Sequence, residues 1–225
     1  MSTFTQIATV VAAIAIAATI TYHLTRLRAP ARHWAAVISA LHAAHRDDLT
    51  GLGNRAGLHA ALTAATRPAS VILINLDGEQ VFVSRFGNRL LDQLLVLIAG
   101  RLQHVAFTAG GRVFRTRRGE FAVILDDLAD AADLAAQLVA AVAERTHLHL
   151  ARFNTTVTVT VTACAGVASF FPHADRRAWL ALVHTDRALR AAKRVGRGRT
   201  EVFAPATMRG LDTVPGARTD GGQAR

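Results

Sequence analysis

The sequence has few cysteines and few aromatic residues, and each shortage argues against a class of protein. Cys164 is the only cysteine among 225 residues, which excludes an internal disulfide framework and favours a reducing compartment. Aromatic residues make up 6%, and they are not interleaved with arginine as in single-strand nucleic-acid binders. No helix-turn-helix or zinc pattern is present, and His147 and His149 have no partner motif. The sequence therefore argues against a nucleic-acid partner.

Acidic residues are also scarce, with 16 Asp and Glu against 26 Lys and Arg, nearly all of them arginine. Two explanations remain open for the net charge of +10. A coding bias toward alanine and arginine would produce it without any function. Alternatively, the charge would attract anionic lipid or phosphate ligands.

The N-terminal stretch has no charged residue from Phe4 to Leu24. About 20 apolar residues of helix span a bilayer core. A signal peptide would carry a positive residue before the apolar run, but the first is Arg26, followed by Arg28 and Arg32. The positive-inside rule therefore predicts a single-pass anchor in the cell membrane at residues 1–28, with the C-terminal domain in the cytoplasm. A buried helix of a soluble protein is the alternative.

Three further segments follow the predicted anchor. Residues 29–46 are predicted to form a stalk helix, since Trp34, Val37, Ile38 and Leu41 recur at helical spacing. This apolar stripe would suit dimerisation. Residues 47–203 form the main domain, and residues 204–225 are rich in Gly, Pro, Thr and charge, which predicts a disordered tail.

The main domain alternates helical and strand patterns. We predict helices over residues 55–66, 87–105, 130–145 and 175–195, strands over 70–76, 155–170 and 201–203, and a hairpin around Arg117. The run over residues 70–76 is almost entirely apolar, which indicates a central strand buried on both faces. The order predicts an α+β fold, with a mostly antiparallel sheet flanked by helices.

The hairpin turn is unusually basic. Residues 115–121 read RTRRGEF and separate two short apolar runs, 112–115 and 121–125. Hairpin turns are commonly built from Gly, Asn or Asp. A turn with three arginines is either a solvated turn or a place where phosphate is held.

Four segments resemble, in order, the motifs of the GGDEF domain, the diguanylate cyclase family that condenses two GTP into cyclic di-GMP. Residues 47–55, DDLTGLGNR, match the opening pattern D-x-L-T-G-L-x-N-R at every fixed position. Residues 115–121 fall on R-x-G-G-D-E-F, residues 164–168 on S-I-G-x-A, and residues 182–199 on the closing A-D-x-A-L-Y-x-A-K-x-x-G-R-N pattern. The resemblance implies a GGDEF, palm-like nucleotidyl cyclase fold.

The resemblance also implies where the reaction would occur. In the family, carboxylates at the end of the first strand and at the third motif position hold Mg²⁺. Here those positions are Asn75 and Gly119, so the motif is degenerate and no metal site is expected; Mg²⁺ is a cofactor only if the protein is active. Glu120 remains as the remnant of the catalytic motif.

The nucleotide positions are only partly retained. Asp92 matches a guanine-contacting position, and Lys193 and Arg197 match phosphate-binding positions. The family's F-K and N-D pairs correspond to residues 79–80 (Glu-Gln) and 83–84 (Val-Ser), and the R-x-x-D product-inhibition site falls on residues 108–111 (TAGG) and is absent.

The two motif glycines are replaced by Arg117 and Arg118, which should fill space that guanosine needs. With Arg115, Lys193 and Arg197, they could instead form a cationic patch that holds phosphate without metal. The alternative is that these arginines pair with carboxylates such as Asp92 or Glu120.

These observations favour a membrane-tethered GGDEF protein of cyclic di-GMP signalling that is catalytically degenerate. It would act through protein contacts or residual binding of GTP or cyclic di-GMP, as a homodimer or with another GGDEF protein. One alternative is an active diguanylate cyclase with altered ligands. The other is a basic nucleic-acid or anionic-lipid binder on a GGDEF scaffold.

Overall fold

The computed structural model describes residue 14 and residues 16–23, 43–126, 130–150, 154–172 and 178–204. The chain divides into two units, residues 1–45 and 46–225. In the first unit, residues 16–23 are helical and expose Ile16, Ile20 and Tyr22. Most of the predicted anchor, stalk and tail lies outside the described residues, so those assignments stay predictions.

The second unit is an α+β structure. In chain order its elements are β1 (Gly53–Asn54), α1 (Arg55–Thr63), β2 (Ala69–Leu76), α2 (Glu79–Phe86), α3 (Asn88–Thr108), β3 (Arg112–Arg117), β4 (Glu120–Leu125), α4 (Ala131–Val142), β5 (Thr146–Leu150), β6 (Thr155–Val159), β7 (Ala163–Phe170), α5 (Ala178–Val195) and β8 (Thr200–Val202).

Six strands form the main sheet in the order β1-β3-β4-β2-β7-β8. The three central pairings are antiparallel, whereas β1 pairs with β3 and β8 with β7 in parallel. The sheet is therefore mixed, with parallel pairs only at its two edges. Strand β2 lies between β4 and β7 and is buried along nearly its whole length, so the prediction of a central strand is confirmed.

The sheet separates two hydrophobic cores, because alternate residues of a strand face opposite sides. Ile72 and Ile74 belong to the larger core with α2, α3 and α4. Val71 and Leu73 belong to the smaller core with α1 and α5. The two faces are thus covered by different helices, and each face can carry a site of its own.

Helix α5 approaches the sheet at Gly166, which has no side chain to hold it away. A Cβ atom at this position would collide with the backbone of Thr185 and Leu189. Gly166, the glycine of the S-I-G-x-A segment, is therefore required for the packing of α5 on the sheet.

The opening motif folds as a turn followed by a helix cap. The Asp47 carboxylate accepts hydrogen bonds from the Thr50 amide (2.9 Å) and hydroxyl (2.7 Å). The Asn54 side chain then accepts from the Gly57 amide at 2.9 Å, which caps the N-terminus of α1.

The prediction of one strand over residues 155–170 is wrong. Strand β6 pairs with β5 in a separate two-stranded sheet, whereas β7 lies in the main sheet. The chain changes direction at Thr162, whose hydroxyl donates to Asp77 and whose carbonyl accepts from the Asp77 amide, both at 2.8 Å. The Thr/Val alternation continues through this break, so the pattern contains no turn signal.

Helix α3 is the one described helix that is long and apolar enough to cross a membrane. Its apolar residues are nevertheless buried in the larger core: Leu91, Leu94, Leu95, Ile98 and Leu102. Its apolar composition is that of a core helix.

Candidate functional site

The β3–β4 hairpin lies beside the end of β2. Asn75 is directly opposite Glu120 in the β2–β4 register. The Leu76 amide donates to the Gly119 carbonyl at 2.9 Å. The structure therefore brings together both positions where the family would hold metal, Asn75 and Gly119, and the motif remnant Glu120.

Arg115 holds the hairpin to the opening turn. Its Nη1 atom donates to both Asp47 carboxylate oxygens, at 2.9 and 3.0 Å, and its Nε donates to the Arg118 carbonyl at 2.9 Å. Burial alone would raise the pKa of Asp47, but hydrogen bonds from Thr50 and Arg115 outweigh it and hold the pKa below its usual value. Arg115 is thus a structural residue, and the predicted phosphate-binding patch loses one of its members.

Lys193 lies at the first of the two metal positions. It is the only lysine in the chain, and its Nζ atom donates to the Asn75 side-chain oxygen at 2.8 Å. The amide oxygen that could ligate a metal is therefore bound to an ammonium group. A side-chain cation stands where the resemblance implies a metal cation.

Glu79 fills the space beside Gly119, the second metal position. A Cβ atom on Gly119 would collide with the Glu79 carboxylate, which comes from the first turn of α2. Arg118 neutralises this carboxylate, with Nε 3.6 Å from it, and its Nη2 donates to Asn88 at 3.0 Å. Arg115 and Arg118 therefore pair with carboxylates, as the alternative expected, but their partners are Asp47 and Glu79 and not Asp92 or Glu120.

Asp77 follows β2 and is fully engaged in holding the chain together. It accepts from the Thr162 hydroxyl at 2.8 Å, the Gly198 amide at 3.2 Å and the Cys164 thiol at 3.4 Å. The thiol also donates to the Gly196 carbonyl at 3.2 Å, and burial raises its pKa. Asp77 thereby ties the turn after α5 to the sheet, a role that its place in the sequence did not indicate.

The other predicted nucleotide residues are not joined to this group. Asp92 is exposed on α3 and Arg197 is exposed after α5. Neither side chain makes a hydrogen bond or ion pair within the described ranges. Among the described residues, no three His, Cys, Asp or Glu side chains are grouped closely enough to hold a metal ion.

Arg118 and Arg117 share a small cavity of about 400 Å³, but Arg117 also lines a larger cavity, which Arg118 does not line. The larger cavity, of about 610 Å³, lies between α1 and α5, on the face of the smaller core. Glu120 and Thr116 line the same cavity, and the Thr116 hydroxyl donates to the Glu120 carboxylate at 2.6 Å. Sequence reasoning missed the residues opposite the hairpin, Arg55, Trp179 and Arg190, because they lie on helices distant in the chain.

Comparison with known families supports the resemblance. A family described as "Diguanylate cyclase, GGDEF domain" matches residues 44–199. Diguanylate cyclase TpbB of Pseudomonas aeruginosa strain UCBPP-PA14 is 34% identical over 171 residues, which cover 71% of this chain and 38% of the relative. Probable diguanylate cyclase DgcC of Escherichia coli K12 is 30% identical over 169 residues, covering 71% and 43%. The chain spans about two fifths of the length of these relatives.

Solved structures share the fold. The GGDEF domain of TpbB from Pseudomonas aeruginosa matches with a TM-score of 0.65 and 29% identity, covering 75% of this chain and 100% of that one. The active GGEEF domain of a diguanylate cyclase from Vibrio cholerae matches with a TM-score of 0.56 and 28% identity, covering 67% and 97%. The coiled coil and GGDEF domain of DgcB from Caulobacter crescentus, in complex with c-di-GMP, has a TM-score of 0.66 over 81% of this chain and 98% of that one. At 22% identity, the DgcB match shows the fold alone.

Proposed function

This chain belongs to the GGDEF domain family, and we propose that it is a catalytically degenerate member that acts in cyclic di-GMP signalling without making the nucleotide. It would act through protein contacts or residual nucleotide binding. Its relation to diguanylate cyclases supplies the signalling context.

The contact between Lys193 and Asn75 carries the proposal. Mg²⁺ prefers anionic oxygen ligands, and Asn75 offers an uncharged amide. A metal ion at this position would also have to displace an ammonium group that is 2.8 Å from the only side-chain oxygen of Asn75. Because Lys193 matches a lysine position of the family, the repulsion between Mg²⁺ and this lysine would be offset in an active member by the carboxylate that Asn75 lacks.

The charges around Gly119 support the same conclusion. Glu79 is a carboxylate in the first turn of α2, where the family pattern has the phenylalanine of its F-K pair, and it would repel a phosphate. Arg118 is already engaged by Glu79 and Asn88. The pair is partly exposed, so a ligand could compete for Arg118, but only at the cost of leaving Glu79 unpaired.

One observation favours the alternative of an active cyclase with altered ligands. The Glu79 carboxylate occupies the space into which a side chain at residue 119 would project. A carboxylate is therefore present near the lost third-position ligand, although it comes from another element. Its ion pair with Arg118 weighs against a metal there, because the guanidinium already provides the neutralising charge.

We also propose that the N-terminal segment anchors the protein in the cell membrane, with the GGDEF domain in the cytoplasm. The exposed apolar side chains Ile16, Ile20 and Tyr22 on a helical segment support this proposal. Pairing with a second copy or with another GGDEF protein would then be promoted near the bilayer.

The first experiment is a cyclase assay on the 225-residue chain with GTP and Mg²⁺, with product separated by chromatography. We expect no cyclic di-GMP above a control without enzyme. TpbB of Pseudomonas aeruginosa, a named diguanylate cyclase, serves as the positive control. Product above the control from the wild-type chain would contradict the proposal.

A second experiment tests the reason for the expected inactivity. Asn75→Asp and Gly119→Asp restore the two carboxylates, and Glu79→Ala accompanies them so that no Glu79 side chain has to move aside for residue 119. We expect this triple variant to bind Mn²⁺, measured by electron paramagnetic resonance, at least about tenfold more tightly than wild type. Glu79→Ala alone is the matched control, and equal affinity in both variants would show that lost carboxylates are not the cause.

A further inference from the structure

The cavity between α1 and α5, here called the α1–α5 cleft, has the size and lining of a small-molecule site. Its volume is about 610 Å³, and its apolar wall includes Leu58, Leu73 and Leu182. Small-molecule sites are commonly concave, mostly apolar, and carry a few polar groups. The cleft lies on the face of the smaller core, whereas Glu79 and Arg118 lie beside α2 and α3 on the other face.

Two guanidinium groups at the cleft are unpaired. Arg55 and Arg117 are exposed, and neither makes a side-chain hydrogen bond or ion pair in the part of the chain that the structure describes. They also line a second cavity of about 400 Å³. Both cavities share Arg55, Thr116 and Arg117, so the two cations stand where the cavities meet.

The carboxylates of the cleft are already engaged. Asp186 pairs with Arg190 at 2.7 Å, and Glu120 accepts from Thr116 at 2.6 Å. Asp186 is therefore neutralised by Arg190, whereas Glu120 keeps its charge, so the cleft sets two unpaired guanidinium groups against one carboxylate. Guanidinium groups bind phosphate through paired, charge-assisted hydrogen bonds, and they need no metal to do so.

Trp179 supplies an aromatic surface at the same cleft. Its side chain lines the cavity and is 46% exposed, so one part of the indole is accessible. The chain contains only 2 tryptophans, and aromatic side chains stack on nucleobases.

From these contacts we infer that the α1–α5 cleft binds a nucleoside phosphate without a divalent cation. Arg55 and Arg117 hold the phosphate, and Trp179 stacks on the base. The lining of the cleft does not include Asn75 or Lys193. It adjoins them, because Glu120 lies opposite Asn75 and Lys193 follows one turn after Arg190 on α5.

The test uses Trp179 fluorescence in the full-length chain carrying Trp34→Phe, so that Trp179 is the only tryptophan. The titrations are done in EDTA with guanosine 5′-monophosphate (GMP) and adenosine 5′-monophosphate. We expect saturable quenching by both nucleotides. Two control ligands each lack one part of GMP. Guanosine lacks the phosphate. Ribose 5-phosphate lacks the base, so its binding is measured by competition against GMP. Each should bind at least about tenfold more weakly than GMP.

Three variants locate the site. Arg55→Ala and Arg117→Ala should each weaken GMP binding about tenfold or more. Arg117→Lys keeps the charge but loses the bidentate contact with phosphate, and should cause an intermediate loss of GMP affinity. Arg194→Ala is the control, because this exposed arginine of α5 lines neither cavity in the described part of the chain and removes the same charge.

Several results would overturn the inference. These are the absence of saturable quenching up to millimolar nucleotide, binding that survives both Arg55→Ala and Arg117→Ala, or a requirement for Mg²⁺. Loss of GMP binding in Lys193→Ala but not in Arg117→Ala would place the nucleotide at the family positions instead. Thermal unfolding of each variant separates lost binding from lost folding. The cyclase assay is a separate measurement, so failure here leaves the proposed lack of cyclase activity untouched.

Discussion

Arg117 and Arg118 are neighbours in the chain, but the regions on the two sides of the hairpin balance their charges differently. On one side, Arg118 pairs with Glu79, and nearby Lys193 donates to Asn75. In the α1–α5 cleft, Arg117 and Arg55 make no ion pair among the described residues. In the first region, Arg118 has a carboxylate partner and Lys193 is bound to an uncharged amide, whereas the second region keeps two cations without side-chain partners over an apolar wall.

This difference shows that the number of arginines does not predict a binding site. A cation that already faces a carboxylate must lose that partner before it can hold a ligand. A cation with no partner loses only its hydration. The cleft is therefore the better anion site, although the other region matches the family's nucleotide positions.

The largest change in stability is expected where α5 packs on the sheet. Both regions depend on this contact, because α5 supplies Lys193 to one and Asp186 to the other. Gly166→Ala should lower the free energy of unfolding by about 3 kcal/mol, since the new methyl group collides with the backbone at Thr185 and Leu189. Chemical denaturation measures the loss. Gly100→Ala, at an exposed position of helix α3, is the control, and should stabilise by about 0.5–1 kcal/mol because nothing lies near its Cβ position. Equal stability of the two variants would refute the close packing of α5.

A smaller effect is expected at the link between the hairpin and the opening turn. Asp47→Asn should cost about 2 kcal/mol at neutral pH, because Arg115, only 11% exposed, loses its carboxylate partner. The control is Asp126→Asn, which breaks an exposed pair with Arg112 and should cost less than about 0.5 kcal/mol.

The same link predicts a pH dependence. The folded state lowers the pKa of Asp47. The stability that this group contributes is therefore complete above the ordinary aspartate pKa of about 3.9, and is lost as the pH falls through the lower folded-state pKa. The stability gap between wild type and Asp47→Asn should narrow in that acid range. A gap that stays constant from neutral pH to strong acid would contradict the assignment.

The next prediction tests whether the ion pair of Arg118 with Glu79 weakens phosphate binding in the first region. Glu79→Gln removes the carboxylate that pairs with Arg118, and should tighten pyrophosphate binding about fivefold, or about 1 kcal/mol. Calorimetric titration in EDTA, in an Arg117→Ala background that weakens the cleft, measures the change. Asp126→Asn removes the same charge at the opposite end of the hairpin from Arg118 and should leave the affinity unchanged. If both substitutions tighten binding equally, net charge alone is responsible.

The smallest effect is expected at the paired carboxylate of the cleft. Asp186→Asn frees Arg190, and should tighten GMP binding about twofold while changing stability by less than about 0.5 kcal/mol. Both side chains are substantially exposed, 67% for Arg190 and 41% for Asp186, so solvent screens the pair. Fluorescence titration and thermal unfolding measure the two quantities, and a tenfold change in affinity would show that Asp186 itself blocks the phosphate position.

Local patterns were enough to predict much of the fold. The apolar run that ends near Asn75 predicted the central strand. The basic segment between the apolar runs 112–115 and 121–125 predicted the hairpin. The opening motif predicted a structured turn because Asp47, Thr50 and Asn54 satisfy backbone groups close to them in sequence. Such interactions are local, so residue order alone specifies them.

Other elements could not be predicted, because distant residues determine them. Strands β6 and β7 were predicted as one strand, but they pair in different sheets, and Thr162 is hydrogen-bonded to Asp77 at the break between them. Helix α2 was missed because its apolar signal is short, with Phe82 and Phe86 one turn apart after a left-handed Gly78.

The sequence by itself determined the family and the missing side chains, since the motifs and the substitutions Asn75 and Gly119 are present in the residue order. Only the tertiary structure decided what occupies those positions and which arginines remain unpaired. Lys193 reaches Asn75 across 118 residues, and Glu79 reaches Gly119 from another element. Charges act through space, so their pairing depends on distances that folding alone establishes.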